Sequence, residues 1–97
     1  MTVYVINNMT IQDMEEYKAY VKAFMPVFQE YGGRVLAALN HPVPAEGEWT
    51  YDRTVLLSFP SRALADAWSV SPDYQDVAER RWASTRSNVL VLDGLHD

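Results

Sequence analysis

The order in which extended and helical patterns alternate constrains the fold of this chain more than any other feature. Residues 2–9 are rich in β-branched and aromatic side chains, which favours a strand. From Met14 to Tyr31 apolar residues recur at steps of three and four, which predicts a helix with one buried face. The remaining predicted elements are helical segments capped by Ser61 and by Ser71 and strands at residues 34–40, 53–59 and 86–93.

The predicted order is β-α-β-β-α-β, and it indicates the fold class. We expect an α+β, ferredoxin-like domain, in which both helical layers cover one face of a four-stranded antiparallel sheet. A chain of 97 residues is long enough for one such domain, spanning residues 1–97. Asp13 with Glu16 predicts the start of the first helix, and Gly32-Gly33 predicts its end.

Pro26 lies inside the first predicted helix, where it removes one backbone hydrogen bond. Two interpretations remain open. The proline can kink the helix so that it follows a twisted sheet, or the kink can open space for a ligand.

The strands are apolar on both faces, whereas a sheet with one wet face should alternate apolar and polar residues. Residues 55–57 and 89–92 are continuous apolar runs. Because both right-handed crossovers place their helices on the same side, the other face needs different cover. We expect a second copy, giving an isologous homodimer of the dimeric α/β-barrel type. The alternative is a monomer covered by loop 41–52 and the C-terminal tail.

Composition excludes several classes of function. Thirteen acidic residues outnumber eight Lys and Arg, so nucleic acid is not an expected partner. The absence of cysteine excludes disulfides and a cysteine nucleophile. No apolar run reaches the length of a membrane span, and no signal peptide is recognisable, so we expect a cytoplasmic protein. His41 and His96 have no metal-ligand spacing and neither falls in a predicted helix, so we expect no metal, no haem and no other cofactor.

One edge of the predicted sheet gathers residues that could hold a ligand, because strands one and two end where strands three and four begin. We predict that His41 moves a proton and that a small anionic or carbonyl compound is bound by five residues: Asn8, Arg53, Arg86, Trp49 and Tyr74. Other interpretations remain open. The arginines could pair with loop acids, His41 could be a solvent-exposed loop residue, and Trp49 and Tyr74 could be packing residues.

Several stretches together resemble the domain-of-unknown-function 1330 family of the dimeric α/β-barrel superfamily. They are YVI near the start, DMEEYKAYVKAFMPVF, YGGR at 31–34, EGEW at 46–49, RTVLLSFPS at 53–61, AWSVSPDYQ at 67–75 and RSNVLVLDGL at 86–95. The chain departs from the family at Ser58, where an acidic residue often precedes Phe-Pro. The resemblance implies the fold and the dimer but no activity. Similar superfamily members include cofactor-independent monooxygenases, lactone isomerases, polyketide cyclases and haem enzymes.

The sequence supports two hypotheses of function and leaves open whether the domain is an enzyme. The first is a homodimer that binds a small enolisable or aromatic compound, with cofactor-independent isomerase, cyclase or monooxygenase chemistry as its catalytic form. The alternative is a non-catalytic dimerisation or assembly domain without a ligand.

Overall fold

The computed structural model describes residues 1–95, so His96 lies outside the described residues. The elements follow the predicted order, and the second helical region is divided at Ser71 as its capping residues predict. They are β1 (Val3–Ile11), α1 (Met14–Glu30), β2 (Arg34–Asn40), β3 (Arg53–Phe59), α2 (Arg62–Val70), α3 (Pro72–Ser84) and β4 (Thr85–Asp93).

The four strands form one antiparallel sheet in the order β2-β3-β1-β4, with the helices packed on one face. This arrangement confirms the predicted ferredoxin-like α+β fold. Strand β1 is longer than the predicted 2–9, because Thr10 pairs with Arg86 and Ile11 pairs with Thr85. The same pairing starts β4 one residue before the predicted position.

Local signals in the sequence determine where the helices begin and end. The Asp13 side chain accepts a hydrogen bond from the Glu16 N–H at 3.2 Å, and Ser61 and Ser71 cap α2 and α3 in the same way. Gly32 follows α1 with a φ of +79°, which is the left-handed conformation expected after a helix end. Pro26 is exposed and does not end α1, which continues to Glu30.

The buried face of α1 differs from the predicted stripe by the inclusion of Tyr20. The helix buries Tyr17, Tyr20, Phe24 and Phe28, whereas Met14 is 44% exposed. The four rings follow one another along the helix, and Phe28 also packs edge-on against Phe59 of β3. The tyrosine therefore belongs to the interior between the helices and the sheet.

Alternation along β1 assigns its residues to the two faces of the sheet. The odd-numbered residues Val3, Val5, Asn7 and Met9 lie under the helices and are buried. Asn8 therefore belongs to the opposite face, which we call the open face. Large apolar side chains on the open face are about half exposed: Leu36 at 45%, Leu39 at 57%, Leu90 at 54% and Leu92 at 48%.

Candidate functional site

A cavity of about 280 Å³ lies between the sheet and helices α2 and α3, beside edge strand β4. We call it the α3 cavity. Its apolar walls come from three strands, namely Val5, Leu57, Val89 and Val91. Its polar lining consists of Asn7, Tyr20, Trp68, Tyr74 and Arg81. Exposed Asp66, Gln75 and Trp82 form its mouth.

Helix periodicity brings the α3 residues to this cavity. Tyr74, Ala78 and Arg81 are spaced by four and three residues, so they share one face of α3. Ala78 is fully buried, and its small side chain lets the helix approach its neighbours closely. The Tyr74 ring packs on the Trp68 ring of α2 with centroids 4.0 Å apart. The two aromatic rings and Arg81 therefore form one wall of the cavity.

Three buried polar atoms in the lining have no hydrogen-bonding partner among residues 1–95. They are Asn7 Oδ1, Trp68 Nε1 and Arg81 Nε. A buried polar atom without a partner costs about 1 to 3 kcal/mol, so most such atoms in folded proteins are paired. The three atoms, two donors and one acceptor, belong to side chains that line the same cavity.

The charge of Arg81 is also unbalanced. The residue is only 8% exposed, and within residues 1–95 no carboxylate lies within 4.0 Å of its guanidinium. Its neighbour Arg80 is the contrast, because Arg80 is exposed and pairs with Glu16 at 2.9 Å. A buried arginine is normally paired, so Arg81 is the clearest sign of an anion site in this part of the chain.

Tyr20 supplies a neutral hydroxyl at the cavity wall. Burial raises the pKa of Tyr20 well above its ordinary value, and the neighbouring Tyr74 raises it further through charge and a hydrogen bond. Arg81 acts in the opposite direction on this pKa but does not outweigh burial. Tyr20 therefore stays protonated at neutral pH.

A second cavity, of about 150 Å³, lies on the other side of β1 under α1. We call it the α1 cavity, and it is bounded by Tyr17, Met25, Val55 and Arg53 among others. The Arg53 Nε–H donates to the Tyr17 hydroxyl at 3.0 Å, and its Nη1 donates to Asn40 Oδ1 at 2.9 Å. Its guanidinium also lies 5.9 Å from the centre of the Tyr17 ring. Arg53 is thus held in place by neutral groups.

The structure separates the six residues that the sequence predicted as one site. Tyr74 lines the α3 cavity and Arg53 lines the α1 cavity. His41 is exposed, with a φ of +53°, and lines a hollow of about 370 Å³ together with Asn40 and Asp52.

The other three residues belong to the open face or to the loop beside it. Asn8 Oδ1 accepts a hydrogen bond from the Thr54 hydroxyl at 3.0 Å. Arg86 is exposed opposite Thr10, so it lies on the face of the sheet that Arg53 does not share. Trp49 packs edge-on against Tyr51, whose hydroxyl accepts a hydrogen bond from Asn88 Nδ2. The roles of these residues in ligand binding stay predictions.

Comparison with known proteins assigns the family. The family model described as "Domain of unknown function (DUF1330)" matches residues 2–95. The chain belongs to this family. Among functionally curated proteins, none matches the sequence.

Three solved structures show how widely the fold is shared. A protein of unknown function from Rhodopseudomonas palustris, RPA0582, is 21% identical and superposes with a TM-score of 0.84, covering 99% of this chain and 84% of its own. A dimeric ferredoxin-like protein of unknown function from Jannaschia sp. CCS1 is 18% identical, with a TM-score of 0.75 and coverage of 97% and 100%. SnoaB, a cofactor-independent oxygenase from Streptomyces nogalater, is 11% identical, with a TM-score of 0.71 and coverage of 99% and 95%. At these identities the similarity establishes the fold of this DUF1330 member and nothing about its activity.

Three residues that line the α3 cavity were not among the predicted site residues, namely Tyr20, Trp68 and Arg81. One signal for them is present in the sequence. Arg81 falls in the apolar stripe of α3, seven residues after Tyr74, and a charged residue on a buried helix face needs a partner.

The described helices differ from what a membrane-spanning helix requires. No helix within residues 1–95 has the length and apolarity that a transmembrane segment requires. A cytoplasmic location stays a prediction.

Proposed function

We propose that this domain binds a small, flat, oxygen-bearing anion, or an enolisable compound that becomes one, in the α3 cavity. The observation that carries the proposal is the buried guanidinium of Arg81, which has no acidic partner among residues 1–95. An unpaired buried charge costs several kcal/mol, and an anionic ligand would compensate it. Trp68 Nε1 is a second unpaired donor in the lining of the same cavity.

The size and walls of the cavity favour an aromatic ligand. Its volume of about 280 Å³ is near the lower end of ordinary ligand pockets, which begin at about 300 Å³. It is well above the roughly 150 Å³ of a protein cavity that holds benzene. Apolar walls and the packed rings of Trp68 and Tyr74 suit one or two fused rings.

The same arrangement can stabilise an enolate. When a base takes the proton from the carbon beside a carbonyl group, the C–H electron pair forms the C=C bond and the π pair of the carbonyl moves to the oxygen. The N–H groups of Arg81 and Trp68 are candidate donors for that oxyanion. Asn7 Oδ1 accepts a hydrogen bond from a ligand hydroxyl. This is the chemistry of a cofactor-independent isomerase, cyclase or oxygenase, the last being what SnoaB is described as. His41 remains the sequence-based candidate for proton transfer, although it lies outside this cavity.

The test is calorimetric titration with 2-naphthoate and with its uncharged methyl ester. We expect the acid to bind and the ester to bind at least about tenfold more weakly. Arg81→Met should weaken binding of the acid by about tenfold or more, a change of about 1.4 kcal/mol. Arg80→Met is the matched control on the same helix and should change binding less than about twofold.

Two results would contradict the proposal. One is that neither 2-naphthoate nor its ester binds at millimolar concentration. The other is equal loss of affinity in Arg81→Met and Arg80→Met, which would show that the buried guanidinium does not contact the anion. Circular dichroism of both variants establishes that each is folded.

We propose further that the domain works as a homodimer joined through the open face. Four leucines of this face are about half exposed in the single chain, and a face-to-face copy would bury them. The Jannaschia structure, described as dimeric, supports the proposal. Sedimentation should give twice the chain mass of 11.1 kDa. The same apolar face favours the alternative of a dimerisation domain without a ligand. A protein that is dimeric but binds neither 2-naphthoate nor its methyl ester would support that alternative.

A further inference from the structure

Arg53 resembles Arg81 in lacking an acidic partner, but it is held in a fixed position. Its two hydrogen bonds go to the neutral side chains of Tyr17 and Asn40, and within residues 1–95 its Nη2 group has no bond to any acceptor. It is only partly exposed and lies at one end of a mostly apolar cavity. A guanidinium fixed in this way loses little conformational freedom when it binds a carboxylate.

The α1 and α3 cavities adjoin each other. Asn7, Tyr20 and Leu57 contribute to the lining of both. The register of β1 explains this sharing, because Asn7 is opposite Val55 of the α1 cavity on one side and Val89 of the α3 cavity on the other. The two cavities therefore lie on either side of β1 and share Asn7, Tyr20 and Leu57 as common wall residues.

We propose that the two cavities are the two ends of one elongated site, which takes a ligand with an acidic group at each end. One acidic group pairs with Arg81, and the other pairs with Arg53. The aromatic middle of the ligand lies against Asn7, Tyr20 and Leu57. This inference rests on the proposed function, because Arg81 holds the first group.

The walls of the α1 cavity suit such a ligand. Apart from Arg53, Tyr17, Tyr20 and Asn7, its lining is apolar. It includes Met9 and Met25, whose unbranched side chains adapt to the shape of a bound group. The carboxylate at this end would be met only by Arg53 and the hydroxyl of Tyr17, so one arginine should decide whether a second charge strengthens binding.

The experiment compares naphthalene-2,6-dicarboxylate with its monomethyl ester, which has nearly the same shape and one charge fewer. Terephthalate and biphenyl dicarboxylate, each with its monomethyl ester, vary the distance between the two acids. For the length that spans the site, we expect the diacid to bind about tenfold more tightly than the monoester. In Arg53→Met this ratio should fall to about one, while the affinity for 2-naphthoate changes less than about twofold.

A second variant keeps the test decisive if Arg53→Met does not fold. Arg53→Lys preserves the charge but not the fork of N–H donors, so it should lower the ratio to an intermediate value. Arg80→Met is the control and should leave the ratio unchanged.

The outcomes separate this inference from the proposed function. If 2-naphthoate binds through Arg81 but no diacid binds better than its monoester, the elongated site is wrong and the proposed function stands. An advantage of the diacid that survives in Arg53→Met also overturns the inference. If 2-naphthoate itself does not bind, the proposed function and this inference fail together.

Discussion

The two faces of the same sheet differ in what they leave unsatisfied. The core under the helices is buried, apart from half-exposed valines on the edge strands β2 and β4. Asn7, Trp68 and Arg81 on this side each leave a polar atom without a partner in the described chain. On the open face the polar groups are paired and apolar cover is missing. Asn8 and Asn88 are hydrogen-bonded to Thr54 and Tyr51, while leucines remain half exposed. A missing polar partner is met by a small polar ligand, whereas missing apolar cover is met by another protein surface.

The largest contrast between the faces should appear in stability. Phe28 is fully buried under the helices, and Phe28→Ala should lower the free energy of unfolding by about 3 to 5 kcal/mol, because it leaves a cavity among aromatic rings. Leu90→Ala on the open face should lower it by only about 0.5 kcal/mol at protein concentrations too low for dimerisation. Urea denaturation measures both. Equal losses at low concentration would show that the open face is already covered within one chain.

The second prediction concerns association. Leu90→Glu places a charge within the proposed interface and should weaken dimerisation at least about a hundredfold, or about 2.8 kcal/mol. In sedimentation velocity at low micromolar concentration, the mass should fall toward 11.1 kDa. Val70→Glu is the control, because Val70 is 74% exposed on α2 and away from the open face. Dissociation by both variants, or by neither, contradicts an interface on the open face.

The elements of this fold could be predicted from sequence because their signals are local. Asp13, Ser61 and Ser71 cap helices wherever the rest of the chain lies, and Gly32 ends one. The faces could not be predicted in the same way. Whether Asn7 or Asn8 is under the helices depends on strand register, and a shift of one residue exchanges the faces.

The same dependence on strand register explains why the predicted site residues lie apart. Arg53 and Arg86 fall at one edge of the sheet, as their positions at strand starts predict, but their register places them on opposite faces. Tyr20 departs from the simplest step pattern of α1, so its burial becomes visible only once the helix packs on the sheet. The α3 cavity combines residues from β1, β3, β4 and all three helices, and no short stretch of sequence contains that combination.

The third prediction tests whether the unpaired charge of Arg81 lowers the stability of the protein without ligand. Arg81→Met removes a buried charge and keeps most of the side-chain volume, so the free energy of unfolding should rise by about 2 kcal/mol without ligand. Arg80→Met removes a surface ion pair, so its free energy of unfolding should fall by no more than about 0.5 kcal/mol. Urea denaturation of both variants gives the comparison. A loss of stability in Arg81→Met would mean that the charge already has a partner in the folded protein.

The smallest effect should come from Tyr20, through pH. Because burial raises the pKa of Tyr20 in the folded protein, the group ionises first in the unfolded chain, near its ordinary pKa of about 10. Its contribution to stability is therefore complete below that pH and is lost as the pH rises further. At about pH 11 the loss should reach roughly 1.4 kcal/mol. Tyr20→Phe cannot ionise, so its urea denaturation midpoint should fall less between pH 8 and pH 11 than that of the wild type. Parallel losses in the two proteins would show that Tyr20 ionises as readily in the folded as in the unfolded protein, so that burial does not raise its pKa.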